Sequence, residues 1–231
     1  MHTDLGSFEK KIGIAFTNKD LLRTAFTHRS YLNENRRAGM EHNERLEFLG
    51  DAVLELIVTE YLFEKYPEKP EGDMTSYRSA LVNAVTLAGV AEELGMNDHL
   101  LLSRGEAKDT GRARQVILAN TIEAFIGALY QDLGYEAAKQ FVSRHLFKLL
   151  DEIVQQRKWL DAKSHFQEKA QEIVGATPSY ETVKETGPDH DKHFTVAVFV
   201  GSERVALGEG KSKQEAEQQA AKLALKAKHW E

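Results

Sequence analysis

The sequence predicts a two-part chain: an all-helical N-terminal domain over residues 1–156, a short linker at 157–161, and a small α-β-β-β-α domain over 162–231. Three observations predict it. From about Thr17 onward, apolar residues recur at three- and four-residue spacing, the period of helices with one buried face. Near Asp161 the spacing changes to alternation in three short runs, the period of strands. A chain of 231 residues is long enough for two cores of ordinary domain size.

Composition narrows the chemistry. There is no cysteine, so thiol nucleophiles, disulfides and Cys-ligated zinc or iron–sulfur sites are excluded, and any metal must use oxygen or imidazole ligands. The net charge of -6 argues against a nucleic-acid partner unless positive charge is concentrated locally. No apolar run approaches the ~18 residues of a membrane span, and Met1-His2-Thr3-Asp4 lacks the apolar core of a secretory signal. The expected compartment is the cytoplasm.

Taken in order, Thr17-Asn18-Lys19-Asp20 reads as a capping box, with Thr17 as N-cap, opening a helix through Leu21, Leu22, Ala25 and Phe26 into Thr27-His28-Arg29-Ser30-Tyr31. His28 and Ser30, two apart on such a helix, would point away from each other, so no hydrolase dyad is expected. The next helix, from His42 to Pro67, carries acids in apolar company. Glu44, Glu47 and Asp51 stand at i, i+3 and i+7 on one stripe, while Leu46, Leu49, Val53, Leu54 and Leu56 cover much of the rest. A solvated face is the commoner reason for acids on a helix, but it fits badly here, and a carboxylate stripe in such surroundings is expected to meet a cation.

After a turn-like run from Tyr66 to Asp73, a helix with Leu81, Val85, Ala88 and Leu94 spaced for burial ends at Gly95. Leu101 to Arg114 reads as a surface loop. A second apolar helix, Val116 to Tyr130, carries Glu123, with Asn120 three residues before it on the same face. It is the natural partner surface for the first acidic stripe. A helix from Tyr135 to about Gln156 completes the domain.

In the second domain a helix over Ser164 to Val174 precedes strands at Pro178–Lys184, Phe194–Val200 and Arg204–Gly208. Ser212-Lys213-Gln214-Glu215 is a capping box that opens an alanine-rich last helix. Gly208-Glu209-Gly210-Lys211-Ser212 looks like the end of a P-loop, but the required earlier glycine is Val205, so no nucleotide cofactor is expected. What remains is a helix N-terminus with Lys211 and Lys213, offering amides and charge to phosphates.

The string Asn43-Glu44-Arg45-Leu46-Glu47-Phe48-Leu49-Gly50-Asp51 resembles the signature of the ribonuclease III family, and Tyr77 to Asn83 matches it as well. The C-terminal element order, with Gln167-Glu168, Gly187-Pro188-Asp189-His190 and Lys211-Ser212-Lys213, resembles a double-stranded RNA-binding domain. The resemblance implies a Mg²⁺-dependent endoribonuclease, with Mn²⁺ able to substitute, that cuts double-stranded RNA to 5′-phosphate and 3′-hydroxyl ends in rRNA and mRNA processing. It implies a catalytic, metal-binding set of Glu47, Asp51, Asn120 and Glu123, with Glu44 and Glu71 in secondary roles toward catalysis or RNA. Gln167, Glu168, His190, Lys211, Ser212 and Lys213 would contact RNA by its shape, and Phe48 would anchor a homodimer. The family usually has Asp where this chain has Asn120, which removes one charge from the site and leaves a second reading: an RNA-binding protein with an impaired nuclease centre.

Overall fold

The computed structural model describes residues 4–35, 39–155, 162–188 and 192–230. The chain falls into two compact units, Met1–Trp159 and Leu160–Glu231.

The first unit is helical throughout. Its helices are α1 (Leu5–Ile12), α2 (Lys19–Ala25), α3 (Arg29–Glu34), α4 (Glu44–Lys65), α5 (Glu71–Val82), α6 (Ala84–Glu93), α7 (Arg112–Leu133), α8 (Tyr135–His145) and α9 (Phe147–Gln155). α7 is the central element, with eleven of its residues buried from Ile117 to Leu129. Phe125 on α7 meets Phe8 and Phe141 with ring centroids 5.7 and 4.9 Å apart, and Phe8 meets Phe26 edge-on at 5.0 Å. Such edge-to-face rings add directional packing to plain burial.

The α4–α7 contact depends on two glycines. A methyl group on Gly50 would run into the Glu123 carbonyl and stand 2.8 Å from the Gly127 nitrogen, and one on Gly127 would run into the Leu46 carbonyl. The helices therefore meet backbone to backbone, which only residues without a side chain permit. Mid-helix glycine costs about 1 kcal/mol against alanine, and here the return is a close approach of the two acid-bearing helices.

The N-terminus of α4 is fixed by a small polar hub. Asn43 is buried; its backbone N–H donates to the Thr27 carbonyl (2.9 Å) and its side-chain amide to the Ala25 carbonyl (3.3 Å). Leu101 donates to the Phe26 carbonyl (2.8 Å) and accepts from the His28 N–H (3.0 Å), tying the 101–111 segment to the same place.

Several expectations are corrected. The N-cap of α2 is Asn18, not Thr17: the Asn18 side chain accepts from the Asp20 N–H, while the Thr17 and Asn18 N–H groups donate to the Asp132 carboxylate. α2 stops at Ala25, and His28 is the N-cap of α3, so it lies outside the helix. Its Nδ1 is therefore 2.8 Å from the Ser30 hydroxyl, not pointing away from it, and that hydroxyl also accepts from the Ser103 N–H (3.1 Å). The pair is a capping device. The helix expected up to Leu94 is two helices, broken at Asn83, whose extended backbone and Asx cap onto Thr86 start α6; Val85 is 66% exposed, not buried. The helix expected from Tyr135 is likewise split, at Leu146.

The second unit contains α10 (Ala162–Val174), strands β1 (Ser179–Thr186), β2 (His193–Val200) and β3 (Glu203–Gly210), and α11 (Lys213–Lys228). The sheet is antiparallel in the order β1-β2-β3. Val198 pairs with Ala206 on the face that packs against Phe166, Ala170, Ala220, Ala221 and Ala224. The glycines near the P-loop-like run serve packing: a methyl on Gly208 would collide with the Ala216 carbonyl and Ala220 nitrogen, and one on Gly210 would stand 2.6 Å from the Ala216 nitrogen. α11 lies on β3 at backbone distance, which also explains its alanines. Among the described residues, no helix is long and apolar enough to cross a membrane.

Candidate active site

The expected acids of α4 and α7 come within electrostatic reach of one another. Glu47 and Glu123 are half-buried and Asp51 is exposed. Glu123 feels the strongest perturbation: burial, then the charges of Asp51 and Glu47, push its carboxyl up to about 7. Burial and the Glu44 charge also raise Glu47, whereas hydrogen bonding from the Asn120 side chain favours its charged form, and Asp51 raises it further. The carboxylates of the two helices are thus close enough for their charges to act on one another. Among the described residues, no Lys, Arg or His side chain takes part in shifting Glu47 or Glu123.

A donor set of three carboxylates and one amide oxygen suits a hard divalent cation. Among the described residues no group of three or more His, Asp or Glu side chains is close enough together to hold a metal ion by itself. A Mg²⁺-like ion that retains several of its waters needs only one or two direct carboxylates, so the open arrangement fits it.

The secondary candidates lie at the edges. The Glu44 carboxylate pairs with Arg29 (3.4 Å) and stands 3.8 Å from His42 Nδ1, although its charge reaches Glu47. Glu71 is the first residue of α5, where it accepts from the Thr75 hydroxyl (2.8 Å) and lines a small cleft with Thr59, Phe63 and Arg78. Among the described residues, none of the interactions of Glu47 or Glu123 reaches Glu71. Thr59 is eight residues beyond Asp51, about 12 Å along the helix.

Residues outside the expected set also build the site. Gly50 and Gly127 set the helix spacing, and the signal for them was present in the sequence: a glycine in mid-helix, next to an acid or four residues after one. Arg114 fastens the segment before α7, donating to Asn97 Oδ1 (3.0 Å) and to the Glu106 and Asp109 carbonyls (2.8 and 3.1 Å). Phe48 stands on the opposite side of α4 from the buried stripe, 82% exposed, and Leu56 and Phe63 continue that face at 52% and 71% exposure. Of the apolar residues beside the acidic stripe, Leu56 thus faces outward.

In the second unit, Lys211, Ser212 and Lys213 converge on the N-terminus of α11. The Ser212 hydroxyl accepts from the Glu215 N–H (3.1 Å) and the Glu215 carboxylate accepts from the Lys211 N–H (2.8 Å), a closed capping box that leaves both lysine side chains exposed. Lys213 Nζ rests 5.9 Å from the Phe194 ring centre. Gln167 and Glu168 are exposed on α10 beside buried Phe166. No described contact joins them to the lysines. His190 lies outside the described residues.

Comparisons with known proteins match both units. The model of the Ribonuclease-III-like family matches residues 18–150, and that of the double-stranded RNA binding motif matches residues 162–228. The chain is 47% identical over 217 residues to Ribonuclease 3 of Geobacillus sp. (strain WCH70), covering 94% of this chain and 88% of that one. It is 45% identical to Ribonuclease 3 of Borreliella burgdorferi over 226 residues, covering 97% and 91%. Among solved structures, the ribonuclease III nuclease domain of Campylobacter jejuni is similar with a TM-score of 0.57 at 39% identity, over 63% of this chain and 97% of that one; its description concerns a region involved in dimer formation. With family models matching both units and relatives matching nearly its whole length, the chain belongs to the ribonuclease III family.

Proposed function

We propose that the double-strand-specific endoribonuclease activity of this chain is carried by Glu47, Asp51, Asn120 and Glu123 with Mg²⁺, and that the ends produced are 5′-phosphate and 3′-hydroxyl. The family is divalent-metal dependent. The observation that carries the assignment is the convergence of three carboxylates across the α4–α7 contact, with Glu123 holding its proton up to about 7 and no cation among the groups acting on it. Glu47 and Glu123 would hold the ion directly, and Asp51 and Asn120 would hold its waters. When bound, the ion supplies an activated water and positive charge on the phosphate. For its own part the chain releases the Glu123 proton and backs the site with Ile122 and Leu54, both fully buried.

The second unit delivers the substrate. Exposed Lys211 and Lys213 at the α11 N-terminus, with the hydroxyl hydrogen of Ser212, offer charge and donors to phosphate, while Gln167, Glu168 and His190 reach 2′-hydroxyls. Such domains read A-form shape over ~16 base pairs rather than sequence.

A cut in both strands needs two centres, and each chain supplies one. The exposed row Phe48, Leu56 and Phe63 gives α4 an apolar face for a second copy in a two-fold homodimer. The test of the catalytic assignment is single-turnover cleavage of a long RNA duplex at saturating Mg²⁺. Glu123→Gln should slow it at least about a hundredfold, a loss of about 3 kcal/mol of transition-state stabilisation. An unchanged rate would remove Glu123 from the mechanism.

A further inference from the structure

Glu71 and Arg78 line the same cleft between α4 and α5, yet they do not pair with each other. Residues 71, 75 and 78 share one face of α5, and with Thr59 of α4 they form the polar rim of a cleft floored by buried Leu62. Each charge is held by a threonine. The Glu71 carboxylate accepts from the Thr75 hydroxyl (2.8 Å), and Arg78 Nη1 donates to the Thr59 hydroxyl (2.9 Å). Arg78 is half-buried, and that hydroxyl is its one hydrogen-bond partner among the described residues, with no carboxylate at ion-pair distance. A guanidinium carries several N–H donors and a carboxylate several acceptor positions, so both charges keep most of their hydrogen-bonding capacity for a ligand.

That ligand must bring an anion to Arg78 and a hydrogen-bond donor to Glu71. An RNA strand carries both, a phosphate and a 2′-hydroxyl, on each nucleotide. The cleft measures about 140 Å³, below the ~300–1,000 Å³ of pockets that enclose a whole small molecule, which suits one backbone group of a strand passing over it. We propose that this cleft is an RNA-backbone subsite of the helical unit: Arg78 donates to a phosphate and Glu71 accepts from a neighbouring 2′-hydroxyl, so that this unit itself tells RNA from DNA. The inference rests on the catalytic reading given above. Thr59 stands about 12 Å along α4 from Asp51, so the strand held here lies beyond the bond being cut. Phe63, which also lines the cleft, belongs to the exposed row proposed to meet a second copy, and assembly is therefore followed in parallel with RNA binding.

The test is single-turnover cleavage by the full chain, with Mg²⁺, of an RNA duplex and of a set in which one 2′-hydroxyl at a time is replaced by fluorine, which keeps the A-form sugar but cannot donate. At one position near the cut, wild type at subsaturating RNA should slow about tenfold. In Glu71→Ala the penalty at that position should shrink to less than about twofold, while penalties set elsewhere, by the second unit, persist. Arg78→Met should raise the RNA concentration at half-maximal rate about tenfold for every duplex and lower the salt-dependence slope by about one, with helical content by circular dichroism and the sedimentation of the chain unchanged. If Arg78→Met does not fold, the fluorine comparison with Glu71→Ala decides alone. Wild type that cleaves RNA but has no position whose penalty Glu71→Ala removes, or a folded Arg78→Met that saturates at the same RNA concentration, overturns the subsite alone. So does an Arg78→Met chain that loses affinity only together with its sedimentation as wild type. Wild type that does not cleave the unmodified duplex overturns the catalytic reading and the subsite with it.

Discussion

Glu123 sits where burial and two neighbouring carboxylates all favour the protonated acid, and its carboxyl is raised from 4.5 to about 7. The folded protein thus binds this proton more tightly than the unfolded chain does. Between about pH 4.5 and about pH 7 the native state carries the extra proton, so this residue makes stability fall as pH rises through that window, with the full loss reached above about 7. Glu47, raised by burial and Glu44, acts in the same direction. Metal-free protein should therefore melt at progressively lower temperature from about pH 5 to about pH 8, and Glu123→Gln should flatten much of that slope. A cation that displaces the proton reverses the trend: the Mg²⁺ concentration at half-maximal stabilisation should rise as pH drops below about 7, by up to about tenfold per pH unit for one displaced proton. Equal Mg²⁺ requirements across that range would show that Glu123 is not a ligand.

Among elements, the α4–α7 contact decides whether the acids of one helix meet those of the other. The clash at Gly50 is with main-chain atoms of Glu123, which no side-chain rotation can relieve. Gly50→Ala should accordingly destabilise the helical unit by about 1–3 kcal/mol, measured by denaturant unfolding. It should also slow cleavage under conditions where the protein is fully folded, because it parts Glu47 and Asp51 from Glu123. Normal cleavage by a destabilised variant would show that the helix spacing serves stability only. The same elements show where sequence reading succeeds. Acids surrounded by leucine and isoleucine at helical spacing identified both helices and their facing stripes, since burying a carboxylate is too costly to occur without purpose. Element ends were harder. Asn18, His28 and Asn83 take over as caps because their side chains find a particular N–H to accept from, and those choices depend on neighbours such as Asp132 and Ser103 that are distant in sequence.

For the whole molecule, the net charge of -6 and an RNA substrate are reconciled by the position of the charge, not its sum. Lys211 and Lys213 stand exposed at a capped helix N-terminus, while other lysines are engaged in ion pairs, such as Lys65 with Asp151 and Lys228 with Glu203. Lys211→Ala with Lys213→Ala should weaken binding of RNA duplexes of unrelated sequence alike and lower the salt-dependence slope by about two. A loss confined to one sequence would contradict shape readout. The exposed row on α4 makes an assembly prediction. Phe48→Asp should convert a dimer to a monomer at micromolar concentration in equilibrium sedimentation, with the helical content of the chain unchanged by circular dichroism. A wild-type chain that sediments as a monomer would contradict the two-fold arrangement.

The sequence by itself determined the two-part architecture, the order of its elements, the acids of α4 and α7, and the lysines at the last capping box. Each of these is written in local period or in a residue type placed against its surroundings. Only the tertiary structure decided that Gly50 and Gly127 bring two backbones together, that Leu56 faces outward with Phe48 and Phe63, and that Asn43 and Leu101 anchor the start of α4. A period fixes which residues share a face, but the identity of the face that is covered depends on which helix arrives to cover it.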